Sequence, residues 1–412
     1  MEETFETNQR PNSKKKPREK GEQILSLLPP PVDIEMSELR ILKCEERGLY
    51  LIHLLLTCAN HVANGSLENA NIALKQISRL ASPDGDFMQR MAAYFMQALA
   101  DRILKAWPGL HMALNSTRIA LVSEEIIVRK LFFQLFPFLK VAFVRTNQAV
   151  NEAMEGEKMV HIIYLNAVEP APWVALALIQ ALSARPEGPP HLRITGIHQQ
   201  KQVLDQMAHR LTEEAEKLDL PFQFNPVLLE KDTINGYSPS PDSASSSPAP
   251  LSSTGSVKVD SFQNALWGLS PKLMVVTEQD SNHNGSTLME ILLESLYSYA
   301  ALFDCSESTV SRTSPERLKV KKMLFGEEIK NIIACEGAER KERHEKLEKW
   351  IQRLDLAGLG NVPLSYYGML HARRLLQGYN CDGYKIKEEN GWVGICWQGR
   401  RLFSVSAWRC RK

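Results

Sequence analysis

Apolar residues recur at helical spacing through the first third of the chain. Leu51, Leu54, Leu55, Cys58 and Val62 stand at i, i+3, i+4, i+7 and i+11, one face of a helix. Ala70, Ala73, Leu74 and Ile77 repeat the pattern, as do Met88, Met91, Ala92, Phe95, Ala98, Leu99 and Ile103. Further helices are predicted over about 123–135 and about 138–154, with Pro137 between them. The period then changes. Residues 159–165 form a short, apolar, β-branched run that reads as a buried strand, followed by a helix over about 172–184. A second strand is predicted at 191–198, a charged amphipathic helix at 200–219 and a third strand at 222–229. This βαβαβ order predicts a doubly wound, mostly parallel sheet. Residues 272–278 are a strand that resumes the sheet. Thr287-x-x-Glu290 resembles a capping box that opens a helix through about 303. Residues 314–350 read as charged helices. The stretches 384–388, 392–397 and 402–408 alternate as short strands with an antiparallel tendency. The fold class expected is α/β, with a mainly helical layer over 41–155 and an α/β core over 156–412.

Two segments cannot supply a core. Residues 1–40 are polar and then Pro-rich, which predicts a disordered tail. Residues 232–259 are rich in Ser, Pro and Gly and read as a solvated linker, although their Ser-Pro steps are also able to accept phosphate. The rest is ordinary globular material, 44% apolar and 24% charged in 412 residues, enough for one large domain or two smaller ones. The net charge of +1 gives no whole-molecule field that would attract DNA or an acidic membrane. Residues 14–20 hold five basic side chains in seven, a pattern that serves either as a nuclear-import signal or as a solvated basic tail. The seven cysteines contain no CxxC pair and are expected to be free thiols in a reducing compartment. No apolar run reaches the roughly 18 residues of a membrane span.

Catalytic chemistry is poorly represented. There is no GxxxxGK[ST] phosphate loop and no GxSxG elbow. Gly358-Leu-Gly360-Asn-Val-Pro363 ends in proline and follows a helix, so it is a poor dinucleotide loop. A nucleotide-binding strand needs a carboxylate near its C-terminal end, and here Tyr164 and Asn166 stand there. His344-Glu345-Lys-Leu-Glu348 puts glutamate where HExxH needs its second histidine, so a solvated charged helix face is expected instead. No cofactor and no metal are expected. Binding features are better represented. Leu51-Ile-His-Leu54-Leu55 is an LxxLL pattern whose leucines either fill a partner's groove or belong to the core. Arg340 and Arg343 lie in the charged 314–350 segment and are candidates for pairing with an acidic partner surface.

Several spaced landmarks resemble the GRAS family of plant regulators over roughly 45–412. A leucine-rich region starts at Glu46-Arg47-Gly48-Leu49, and the VHIID landmark corresponds to Val160-His161-Ile162-Ile163-Tyr164. The PFYRE region begins near Pro271 and includes Ala334-Cys335-Glu336-Gly337 and Arg340-Lys341-Glu342-Arg343. The SAW region shows Trp350 and Gly358, then Trp397, and closes on Ser406-Ala407-Trp408. The resemblance implies a Rossmann-like, methyltransferase-like core under an N-terminal helical cap, to which the 314–350 helices add. It implies a non-catalytic nuclear regulator of transcription that works as a protein scaffold in gibberellin signalling and root development. The partners implied are DELLA-type GRAS proteins and indeterminate-domain zinc-finger proteins, with DNA reached only indirectly, no membrane, and a homo- or hetero-dimer as an option. An S-adenosylmethionine-dependent methyltransferase is the alternative that the sheet suggests, and a sequence-specific DNA-binding factor is a weaker third.

Two departures stand out. Tyr164 replaces the acid at the end of VHIID. The chain also passes directly from Val227 to Tyr237, where the family has another strand and helix, so one sheet element is expected to be missing.

Overall fold

The computed structural model describes residues 44–115, 122–165, 171–229 and 268–411. The predicted tail, the basic cluster at 14–20, the linker at 232–259 and Asn166 lie outside them. The elements run in the order α1 (Cys44–Ala63), α2 (Leu67–Leu80), α3 (Phe87–Leu104), α4 (Pro108–Asn115), α5 (Val122–Leu135) and α6 (Pro137–Ala153). Then come β1 (Met159–Tyr164), α7 (Ala171–Ser183), β2 (His191–His198), α8 (Lys201–Lys217), β3 (Phe222–Leu228) and β4 (Met274–Gln279). They are followed by α9 (Leu288–Thr309), α10 (Pro315–Val320), a π-helical turn (Lys321–Phe325), α11 (Gly326–Ala334) and a 3-10 turn (Gly337–Glu339). The chain ends through α12 (Leu347–Leu356), β5 (Leu359–Val362), α13 (Tyr366–Gln377), β6 (Tyr384–Glu389), β7 (Trp392–Trp397) and β8 (Arg400–Cys410). Two compact units result. Of the described residues, the first takes in 44–115, 282–300 and 326–343, and the second takes in 122–165, 171–229, 268–281, 301–325 and 344–411.

The first unit is helical. Leu51, Leu54, Leu55 and Cys58 on α1 are buried, and so are Ala70, Ala73 and Ile77 on α2. The two alanines leave room for the α1 and α2 backbones to approach closely. Asp86 opens α3 with a full capping box: its carboxylate accepts from the Gln89 amide at 2.9 Å, and the Gln89 side chain accepts from the Asp86 amide at 3.1 Å. Arg47 of α1 pairs with the same carboxylate at 2.7 Å. Met91, Phe95 and Leu99 of α3, with Ile329, Ile332 and Ile333 of α11, complete the core. At the start of α9 half of the predicted capping box forms. Thr287 Oγ1 accepts from the Glu290 amide at 3.2 Å, but the Glu290 carboxylate accepts from the Ser286 amide and hydroxyl, both at 2.9 Å.

The second unit holds two sheets. Strands β1, β2 and β3 are parallel and lie in that order, from Met159↔His191 to His198↔Leu228. Val160, Leu192 and Ile194 bury one face of this sheet against α7 (Leu178, Ile179, Leu182) and α8 (Leu204, Met207, Leu211). The strand predicted to resume the parallel sheet does otherwise. β4 runs antiparallel to β8, from Met274↔Trp408 to Gln279↔Phe403, in a five-stranded sheet of order β4-β8-β7-β6 with β5 also on β8. Among the described residues no ladder joins β1 to β4, so the parallel order stops at three strands. The reason lies in β8. It is eleven residues long and buried from Leu402 to Trp408, which makes it the central strand that edge strands must satisfy. Helix prediction also overran in 340–346. That stretch is an irregular loop, not part of a continuous charged helix.

Candidate protein-interaction surface

The three leucines offered above for a partner's groove are core side chains. Leu51, Leu54 and Leu55 are all buried, Leu54 being 3% exposed, in the packing of α1 against α2 and α3. A stripe at i, i+3 and i+4 on an amphipathic helix satisfies its own fold first, because each leucine gains about 2 kcal/mol from burial. Leu54→Ala is therefore expected to cost about 3 kcal/mol in a urea melt of the chain, the ordinary price of a truncated core leucine.

Arg340 and Arg343 are brought together on the 340–346 loop. Asn331 of α11 anchors that loop: its Oδ1 accepts from the amides of Lys341 (2.8 Å) and Glu342 (2.9 Å). Asn284 donates to the Arg343 carbonyl at 3.0 Å. Arg343 folds back, donating to the carbonyls of Arg340 (3.1 Å) and Gly337 (2.5 Å), and keeps its side chain exposed. Arg340 is half-buried, and burial together with the Arg343 charge lowers its pKa from the ordinary guanidinium value.

Next to this loop lies a surface that sequence reasoning passed over. Lys105, at the end of α3, donates to Glu339 Oε2 at 2.7 Å and to Cys335 Sγ at 3.1 Å. The ammonium holds the Glu339 carboxyl below its usual range. Arg102 donates to the Ile333 carbonyl at 2.9 Å and pairs with Glu336. Buried Asp101 ties α4 to α11 through His111 (3.8 Å) and Lys330 (3.3 Å). These charges frame α4, whose large apolar side chains face solvent: Trp107 just before it is 47% exposed and Met112 on it 70%, with Leu110 and Leu114 exposed as well. An apolar centre with a charged rim is the anatomy of a protein interface. The signal was present in the residues themselves: from Pro108 to Asn115 only His111 and Asn115 are polar, too few to give a short surface helix a solvated side.

A model of the GRAS domain family matches residues 51–409. The chain belongs to the GRAS family. Scarecrow-like protein 3 of Arabidopsis thaliana is 61% identical over 447 aligned positions, which take in 91% of this chain and 92% of that protein. The GRAS family protein TF80 of Medicago truncatula is 46% identical, over 90% of this chain and 98% of its own length. The crystal structure of SCL7 in Oryza sativa superposes with a TM-score of 0.68 at 26% identity, covering 87% of this chain and 99% of that one. The 447 positions aligned with the Arabidopsis relative exceed the 412 residues present here, so that relative carries stretches this chain lacks.

The GRAS landmarks have structural places. In β1, Val160, Ile162 and Tyr164 pack toward α7 and α8, while His161 is exposed and lies 2.9 Å from the Thr195 hydroxyl. Burial pushes the Tyr164 phenol up from its ordinary pKa, the opposite of what a titrating acid at this position would need. Ile163 lies on the same side of the strand as His161. In the SAW region Trp408 is buried with Leu354 and Leu359, against half-buried Trp350, and its Nε1 donates to Ser406 at 2.9 Å. Ala407 is buried beside it. Gly358 sits at φ +78°, a left-handed turn between α12 and β5 that favours glycine, and its carbonyl accepts from Arg411 at 3.0 Å. Trp397 is buried against Tyr384. Glu345 of the HExxE stretch is buried and paired with Arg353, a structural ion pair and not a solvated helix face. Among the described residues no group of three His, Cys, Asp or Glu is placed to hold a metal ion, and no helix is long and apolar enough to cross a membrane.

Proposed function

We propose that this GRAS protein is a non-catalytic nuclear regulator of plant transcription that works as a protein scaffold in gibberellin signalling and root development. The observation that carries the reading is the exposed apolar helix α4 beside the Arg340–Arg343 loop, a surface with the make-up of a partner interface. The 61% identity to Scarecrow-like protein 3 supports the regulatory class. DELLA-type GRAS proteins and indeterminate-domain zinc-finger proteins are the partners proposed. DNA is reached through the latter. The two compact units are read as a helical interaction unit and an α/β core descended from a methyltransferase-like fold that no longer uses its chemistry.

The test is partner capture. Trp107→Glu with Met112→Glu places two charges in the apolar centre and is expected to weaken binding of a purified DELLA-type protein at least tenfold in a calorimetric titration. Unchanged affinity, with an unchanged melting temperature, would remove α4 from the interface. A parallel melt with saturating S-adenosylmethionine addresses the alternative chemistry. A ligand at a hundred times its dissociation constant adds about 2.7 kcal/mol to the state that binds it. No shift is expected, and a clear rise would return the methyltransferase reading.

A further inference from the structure

Among the described residues, one face of the parallel sheet of the second unit has no helix packed on it. Side chains alternate along each strand, so Val160, Leu192 and Ile194 point to α7 and α8 while His161, Arg193 and Thr195 point the other way. Both crossovers, β1–α7–β2 and β2–α8–β3, place their helices on the same side, as right-handed connections between adjacent parallel strands must. Parallel sheets are found almost always with both faces covered. Here Met159 is 62% exposed and Val227 40%, the outward His161 and Gln223 are exposed too, and Ile163, Arg193 and Ile197 beside them are half-buried.

The size of the face selects its occupant. Three strands of six to eight residues, with strands about 4.8 Å apart and about 3.3 Å of rise per residue, present roughly 14 by 23 Å. That is about 300 Å², well short of the roughly 800 Å² per partner that a stable dimer buries. It does match a single helix about 10 Å across and about 15 residues long. The chemistry is graded along the strands. At one end His161 and Arg193 are register partners, and Arg193 Nε donates to Gln223 Oε1 at 3.1 Å. At the other end the outward residues are Ile163, Ile197 and Val227. The outward positions of the three strands include no Asp or Glu.

We infer that this open sheet face receives one amphipathic, acidic helix of a partner protein, its apolar stripe on Ile163, Ile197 and Val227 and a carboxylate on Arg193. The contact is separate from α4 and stands or falls independently of it.

The probe is a fluorescein-labelled 16-residue helical peptide with Leu at positions 2, 6, 9 and 13 and Glu at 5 and 12, titrated with the full chain by fluorescence anisotropy. Saturable binding is expected. Ile197→Asp should weaken it at least tenfold. Arg193→Glu should do the same, and a peptide with Lys at 5 and 12 should restore binding to that variant. Thermal melts of both variants matching the parent keep the result apart from misfolding, since the substituted side chains are not core residues. Absence of saturable binding, or affinity indifferent to Arg193→Glu, overturns the proposal. So does tenfold tighter binding by a chain lacking 232–259, which would mean that the face is occupied within the chain. A dimer in sedimentation that Arg193→Glu dissociates would assign the face to a second copy and overturn it as well.

Discussion

Trp397→Ala is expected to destabilise the second unit by about 3–5 kcal/mol, a large part of the 5–15 kcal/mol that a folded domain usually has. The indole is 1% exposed, its ring stands edge-on to Tyr384 with centroids 4.9 Å apart, and its Nε1 donates to Asp304 Oδ2 at 2.7 Å. Backbone presses on it from below. A Cβ at Gly383 would collide with the ring, so only glycine leaves room there. Truncation to alanine opens a cavity that this backbone cannot close and strands the Asp304 acceptor. Trp397→Phe separates the two effects: the ring contact survives in part, the hydrogen bond is lost, and the cost should fall to about 1–2 kcal/mol. Urea unfolding followed by near-UV circular dichroism reads both. A Trp397→Ala chain within 1 kcal/mol of the parent would mean that the SAW region does not use this ring as its packing centre.

Asp280→Ala should be nearly as damaging, at about 3–5 kcal/mol. This buried carboxylate, just beyond β4, holds three elements together. Oδ1 accepts from the Leu347 amide at the start of α12 at 2.9 Å, Oδ2 pairs with Arg401 of β8, and the backbone carbonyl accepts from Lys346 at 3.2 Å. Arg401 in turn lies over the Trp392 ring at 4.8 Å and pairs with Glu348. Burial alone would lower the Arg401 pKa, but Asp280 and Glu348 outweigh it and hold the group more firmly charged. Removing Asp280 leaves that cation largely buried with the exposed Glu348 as its remaining carboxylate. Asp280→Asn retains the acceptor for Leu347 and should cost less than half as much. Acid gives an independent check. Burial opposes ionisation of Glu348, yet its bond to Arg401 prevails and its pKa falls below the ordinary 4.5. A depressed carboxylate stabilises above its ordinary pKa and loses that contribution as pH falls through the folded value. The Arg401 cluster should therefore weaken below about pH 4.5, and an Arg401→Met chain should show a flatter acid limb in the same melt.

Much of this molecule is local in origin, and local physics is what a sequence displays. The helices over 44–104 follow from 3.6-residue periodicity and from caps such as Asp86 with Gln89, which lie within one turn of the residues they satisfy. The three parallel strands follow from short apolar runs separated by amphipathic helices, and the GRAS landmarks follow from their order and spacing. The lack of a carboxylate at the end of β1 was likewise visible, because Tyr164 occupies the place.

What only the tertiary structure decided is which face of each pattern is left for others. Leu51, Leu54 and Leu55 have the same periodicity whether they meet a partner or α2 and α3, and burial alone assigns them to the core. The helix over 108–115 leaves Leu110 and Met112 exposed, because no described element packs over them. β4 carries a strand signal that does not name its neighbour. The long buried β8 decides it, through hydrogen bonds between residues more than a hundred positions apart. Asp280 is one acid among many in the sequence and becomes a junction only when Leu347 and Arg401 are folded onto it. Periodicity reports that a side chain must be buried or solvated; the identity of what buries it depends on contacts between distant segments, which no local pattern encodes.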